Sequence, residues 1–193
     1  MVVDMVSYCL LKIGLLKKDI EMNIIPVSLN EFDALYSKIE RAFPYEERRD
    51  KNDEKKLFSK ENFCFCRLFA DNENVGVAAY WAFDEFLFLE HLAINEEQRG
   101  KGRGTEFLQE IRKFGKPIVL EVEKPTYDYA IKRIAFYERS GFVLNEKADY
   151  KQPSYHGDEA VPLLIMSSEP ISAKETERIT SIIYEKCYGV KAN

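Results

Sequence analysis

Arg99-Gly100-Lys101-Gly102-Arg103-Gly104 alternates three cations with three glycines, and Thr105 follows directly. Glycine-rich chain that turns into a helix leaves backbone N–H groups unpaired at the positive end of the helix dipole. Such a place holds phosphate or pyrophosphate, and Arg99, Lys101 and Arg103 add positive charge to it. The plain alternative is a glycine-rich turn with solvated charges. Spacing narrows the ligand. A dinucleotide-binding G-x-G-x-x-G needs its third glycine one residue later than Gly104, and no Gly-Lys-Ser/Thr of a nucleotide triphosphatase loop occurs. What remains is Arg-x-x-Gly-x-Gly, carried by Arg99, Gly102 and Gly104.

The elements that must position this loop flank it. Phe86–Ile94 is an apolar run that predicts a largely buried strand. Thr105–Arg112 predicts a helix with Phe107, Leu108 and Ile111 on one face. Upstream, Ser28 suits an N-cap for a helix carrying Phe32, Leu35, Tyr36 and Ile39. The charged run Glu46 to Lys56 reads as a second, more exposed helix. Phe63–Ala70 and Val75–Phe83 read as a strand pair across the turn-rich Asp71–Asn74. Downstream come a strand at Ile118–Val122, a helix from about Tyr129 to Ser140 closed by Gly141, and late strands at Phe142–Leu144 and Val161–Met166. A helical tail spans Ser172 to Lys186, with Ile179, Ile182 and Ile183 on its apolar side. This order predicts an α/β (α+β) fold, a mixed central β-sheet flanked by helices.

A second motif, Phe136-Tyr137-Glu138-Arg139-Ser140-Gly141-Phe142, accompanies the loop. Together they resemble the GNAT superfamily of N-acetyltransferases. There, Arg-x-x-Gly-x-Gly binds the pyrophosphate of acetyl-CoA, and the tyrosine of the Tyr-Glu-x-x-Gly-Phe segment often protonates the coenzyme A thiolate. Leu120-Glu121-Val122 is similar to a strand of bacterial ribosomal-protein-alanine acetyltransferases in which the glutamate is a general base. The chain departs from the family pattern at Ala130, where many members carry Asn, and at Arg133, where a small residue is common. The resemblance implies a single-domain GNAT-like fold over 22–168. It implies a cofactor site at Arg99 to Thr105 and Tyr137, with acetyl-CoA as acyl donor.

Acetyl transfer to an amine has requirements that name further residues. A lysine-type amine, with a pKa near about 10.4, must lose a proton before it attacks, and a carboxylate can take it. The thioester oxyanion needs a donor, for which backbone N–H groups at Leu92, Ala93 and Ile94 are the candidates. The leaving thiolate needs an acid, which Tyr137 can supply unless it is simply core packing. Glu90 and Glu121 each interrupt an apolar run, where an ionisable side chain is costly unless partnered or facing a cleft. Either can be the base or a solvent-facing strand carboxylate, and the residues leave their ranking open; Glu123 alternates onto the same face as Glu121. His91 is expected on the face opposite Glu90, buried and hydrogen-bonded, and His156 in solvent. Tyr150, Pro153 and Tyr155 form either an acceptor-pocket wall or ordinary hairpin packing. No Cys or Ser has a nucleophile's setting beside a histidine, which favours direct attack.

Bulk composition sets the outer limits. The 193 residues suffice for one core, with 46% hydrophobic and 13% aromatic residues. Thirty-three acidic against 28 basic residues argue against a broad nucleic-acid surface. The four cysteines have no zinc spacing, and no metal is expected; Cys64 and Cys66 share a strand face. Residues 1–21 read as an appended segment, too charged to span a membrane and lacking a secretory signal's features, and 169–193 as a C-terminal tail. A cytoplasmic enzyme is expected, with a small-molecule or protein amine as acceptor, no nucleic acid or membrane partner, and a homodimer compatible with the sequence. The alternative is a non-catalytic acyl-CoA sensor or interaction module.

Overall fold

The computed structural model describes residues 22–145, 150–157 and 159–191. The reading of residues 1–21 as an appended segment falls outside them. The mixed sheet runs β1 (Asn23–Pro26), β2 (Phe63–Ala70), β3 (Glu73–Ala82), β4 (Leu87–Ile94), β5 (Ile118–Glu123), β8 (Val161–Ser167) and β6 (Val143–Asn145), and β7 (Lys151–Gln152) also pairs with β8. All pairings are antiparallel except β4 with β5. Six α-helices accompany it among the described residues: α1 (Leu29–Leu35), α2 (Ser37–Ala42), α3 (Lys51–Lys56), α4 (Arg103–Arg112), α5 (Asp128–Arg139) and α6 (Ala173–Ile183). Their order is the mixed α/β arrangement that periodicity predicts. None of the described helices is long and apolar enough to cross a membrane.

Alternation along the strands sorts side chains onto two faces. On one, Leu87, Leu89, Ile118, Leu120 and Val122 meet Phe107, Leu108 and Ile111 of α4 and Ile134 and Tyr137 of α5. Each such buried aliphatic or aromatic side chain contributes about 1.5–3 kcal/mol. On the other, Phe88, Val119 and Ile165 meet Ile179 and Ile183 of α6, while Val77, Ala79 and Ala93 meet Phe32, Tyr36 and Ile39 of α1 and α2. The C-terminal helix therefore completes the core. A capping box of Ser172 with Glu175 starts it, and a π-helical turn, Tyr184–Tyr188, ends it.

Two local features depart from the periodic reading. The β2–β3 turn has two central residues, Asp71 and Asn72, at φ of 51° and 62°, instead of four turn residues. Asp and Asn tolerate that conformation well among non-glycine residues. The second lies in β4, where Ala79 pairs with His91 and Tyr80 with Leu89, leaving Glu90 without a β3 partner. A bulge of this kind bends and twists its strand. Parallel pairing of β4 with β5 spans only Leu87–Leu89 against Ile118–Leu120. Beyond it the strands part.

Candidate active site

The parting of β4 and β5 opens a cavity of about 660 Å³, lined by Leu89, Glu90 and Leu92 to Ile94 on one side and by α5 and Glu121 on the other. The glycine loop closes one end. Gly100 and Gly102 have φ of 74° and 82°, and Gly102 is the N-cap of α4 with no side chain capping the first turn. The first-turn N–H groups therefore lack internal partners where Gly102, Gly104 and Thr105 line the cavity. Gly104 has a different role: a Cβ there would lie 2.9 Å from the tip of the Phe136 ring, so a side chain at this position would push that ring aside where α4 meets α5.

The three loop cations divide. Arg99 lines the cavity, its Nε donating to the Ile94 carbonyl at 3.2 Å. Arg103 also lines it but donates to Glu106 at 2.9 Å and to Asp71, so its charge is compensated and ties the loop to the β2–β3 turn. Lys101 is exposed and outside the lining. Lys132 and Arg139 of α5 supply further cationic lining; Lys132 lies in no motif, and Arg139 occupies a variable position of the Tyr-Glu-x-x-Gly-Phe segment. Leu92, Ala93 and Ile94 line the cavity along the edge of β4 that has no strand neighbour.

Glu90 and Glu121 both reach the cavity, in opposite electrostatic states. The Glu90 carboxylate accepts from Arg49 Nη1 at 2.6 Å, Trp81 Nε1 at 2.8 Å and Tyr155 Oη at 2.8 Å. Burial alone would push its pKa up, but Arg49, His91 and the Trp81 N–H hold it below the ordinary carboxylate value. Glu121 accepts from Tyr150 and from Tyr188 Oη, the latter at 2.6 Å, and among the described residues no cation pairs with it. Burial, opposed by those hydroxyls and reinforced by Glu90 and Glu47, pushes it up to about 7. Glu123, on the same face, is tied to Arg133 at 2.7 Å and Tyr127 at 3.0 Å. Tyr137 lines the cavity, and burial pushes its phenol up to about 12. The phenol is therefore protonated and able to donate throughout the neutral range.

Arg49 is the part that sequence reasoning missed. It lies in the charged run read as exposed, yet it is buried at 6% exposure, and Glu54 of the same run at 0%. Arg49 Nη1 lies 3.3 Å from Glu54, Nη2 donates to the Cys187 carbonyl at 2.6 Å, and the Tyr36 hydroxyl donates to the Arg49 carbonyl. Burial and Glu90 push Glu54 up to about 7 against the pull of Arg49. Acceptors distant in sequence offset its desolvation, and only a run of consecutive charges marked the position beforehand.

The histidines also differ from expectation. The bulge turns His91 to the same side as Glu90, with ligand-type atoms of Glu54, Glu90 and His91 within 4.8 Å of one another. The Arg49 guanidinium donates into that group, so it is an ion-pair network. His91 is buried as expected, Nε2 lying 3.1 Å from the Glu47 carbonyl. His156 is stacked on Tyr45 at 3.8 Å, with Nε2 between the Tyr45 and Arg48 carbonyls at 3.1 and 3.0 Å, not in solvent. Tyr150 and Tyr155 serve neither as plain wall nor plain packing, since each donates to a cleft carboxylate.

Known proteins share this fold. A sequence model of the acetyltransferase (GNAT) family matches residues 32–142. YjbC of Bacillus subtilis (strain 168), an acetyltransferase by name, is 27% identical over 160 residues, covering 81% of this chain and 82% of YjbC. A solved structure from Bacteroides thetaiotaomicron, by its title a GNAT-family acetyltransferase, is 35% identical with a TM-score of 0.80, covering 88% of this chain and 99% of that one. The ribosomal-protein-S18-alanine N-acetyltransferase of Escherichia coli shares the fold at 19% identity and a TM-score of 0.55, covering 79% of this chain and 97% of its own.

Proposed function

This chain belongs to the acetyltransferase (GNAT) family and is an acetyltransferase, and on that premise we propose that it acetylates a primary amine by direct attack, with Glu121 as base and Tyr137 as acid. The observation that carries the reading is the cleft itself. One cavity joins an uncapped helix N-terminus, an unpaired strand edge, a carboxyl group with a pKa of about 7 and a protonated phenol.

Acetyl-CoA, when bound, supplies the thioester carbonyl that the amine attacks. The residues present suit it: first-turn N–H groups of α4 for the pyrophosphate, Arg99, Lys132 and Arg139 for its charge, and the open edge of β4 at Leu92 to Ile94 for amide pairing. Donors on that edge also serve the developing oxyanion. Glu121 is about half ionised at pH 7, so it can take a proton from an ammonium and release it again. Glu90 is unsuited to that task, since its charge is stabilised by Arg49, Trp81 and Tyr155. Tyr137 hands its proton to the leaving thiolate. Holding both substrates in one cleft adds the entropic advantage of a preassembled encounter.

Release of free thiol from acetyl-CoA, measured with primary amines from ethylamine to a lysyl peptide, tests the reading. An amine-dependent release is expected, with Glu121→Gln slowing it roughly 10²–10⁴-fold and Glu90→Gln leaving it within about tenfold of the parent. Release no faster with amines than without them would overturn the assignment of an amine acceptor. A greater loss in Glu90→Gln than in Glu121→Gln would overturn the choice of base.

A further inference from the structure

Glu121 is supported by a residue far away in the chain. Past α6 the backbone takes a π-helical turn, Tyr184–Tyr188, ending at Gly189 with φ of 70°. Turns of this kind widen the helix locally and often occur at functional sites. Here the turn carries Tyr188 to the cleft, where its hydroxyl donates to Glu121 Oε2 at 2.6 Å. A latch holds the turn in place: Arg49 Nη2 donates to the carbonyl of Cys187, the residue before Tyr188, at 2.6 Å. The same guanidinium lies 6.0 Å from the centre of the Tyr188 ring and 4.5 Å from that of Tyr155. Tyr184, at the start of the turn, donates to the Lys151 carbonyl at 2.5 Å, which anchors the other side.

We propose that Tyr188 is a positioning residue for acetyl transfer: latched by Arg49 through the Cys187 carbonyl, its hydroxyl fixes the Glu121 carboxylate and sets its basicity. The proposal rests on the reading of Glu121 as the base. A phenol that donates to a carboxylate stabilises the charged form and so lowers its pKa. Two phenols, from Tyr150 and Tyr188, act on Glu121 against burial and against the charges of Glu90 and Glu47. Tyr188 thereby holds Glu121 near neutrality instead of letting it rise to where it is protonated and idle. The C-terminal segment, outside the residues matched by the family model, then belongs to the catalytic machinery.

The test needs no acceptor. Protein labelled with 13C at the glutamate carboxyl is titrated by NMR, with Glu121→Gln identifying the Glu121 resonance. The parent should titrate near pH 7. Tyr188→Phe, which keeps the ring, should move the midpoint upward by at least half a unit. Encoding 3,5-difluorotyrosine at position 188 strengthens the donor and should move it downward; this variant keeps the ring and its hydroxyl, so it decides the matter if Tyr188→Phe does not fold. A role confined to packing would not produce shifts of opposite sign. A parent Glu121 titrating at the ordinary carboxylate value would overturn the base assignment itself. A parent midpoint near 7 with neither replacement moving it would leave Glu121 as base and overturn the part assigned to Tyr188.

Discussion

Replacing Arg49 by methionine removes the one cation from a buried group of acceptors, and the structure fixes what that costs. The side chains concerned are almost fully enclosed, at 7% exposure for Arg49, 1% for Glu54 and 2% for Glu90. Removing one partner of a buried ion pair costs about 3–5 kcal/mol, because the other charge is left uncompensated. Here the lower part of that range applies. Glu54, with a pKa of about 7, can stay protonated, and Glu90 keeps Trp81 and Tyr155 as donors. We expect Arg49→Met to destabilise by about 3 kcal/mol, a large share of an ordinary domain's 5–15. Glu90→Gln should cost less, about 1–2 kcal/mol, since Arg49 keeps Glu54 and the Cys187 carbonyl. The double variant should cost less than the sum by roughly 1.5–3 kcal/mol, because neither charge is then stranded. Urea unfolding at pH 7.5 reads all three, with unchanged m-values licensing the comparison. The reasoning is refuted if Arg49→Met costs under about 1 kcal/mol, or if the two single effects add to within about 0.5.

Three further outcomes are expected. Gly102→Val forces a β-branched residue into a left-handed N-cap at φ 82°; the Michaelis constant for acetyl-CoA should rise about tenfold or more by the strain and lost donor geometry, and unchanged kinetics would refute the loop's role. Tyr137→Phe should lower turnover roughly 10²-fold while leaving acetyl-CoA affinity nearly intact, as read by a binding titration beside steady-state rates; equal loss in both would indicate packing. Stability should also fall as pH rises through neutrality. Glu54 binds its proton more tightly when folded, at about 7 against 4.5, so the stability it confers is full below 4.5 and lost by the time pH passes 7. That loss is about 3 kcal/mol at 1.36 kcal/mol per unit. Glu90, whose pKa is lowered, acts in the opposite sense only below the ordinary carboxylate value. Urea unfolding from pH 5 to 8 should therefore show a flatter profile in Glu54→Gln, and parallel profiles would count against the buried, protonated Glu54.

What could be read from the sequence was local. The glycine loop, α4, α5 and the tail helix follow from apolar spacing and turn chemistry within about a dozen residues, and the structure has each in place. The β4 bulge left no such trace: Leu89, Glu90 and His91 read as plain alternation, which put His91 on the wrong face. Burial of Arg49 was equally hidden, because its partners lie 41 and 138 residues away at Glu90 and Cys187. A charge run is normally solvated, and only the assembled sheet supplies acceptors that make enclosure tolerable. The tail's apolar stripe was legible as a helix. That its last turn reaches Glu121 was not, since a π-turn shifts the register that the 3.6-residue period predicts.

The two glutamates that the sequence could not rank are separated by their surroundings. Both leave apolar strands at the point where β4 and β5 part, and each alone would be raised by burial. A full guanidinium and two neutral donors hold Glu90 charged. Among the described residues Glu121 has only phenols, and it also feels the charge that Arg49 preserves on Glu90. Environments that drive a pair of carboxyl groups apart in this way are how one site assigns distinct acid–base duties near pH 7. Neutralising Glu90 should accordingly lower the pKa of Glu121 and move the acidic limb of the pH–rate profile downward while activity persists. A catalytic Glu90 would give the reverse, with activity lost and no limb left to move.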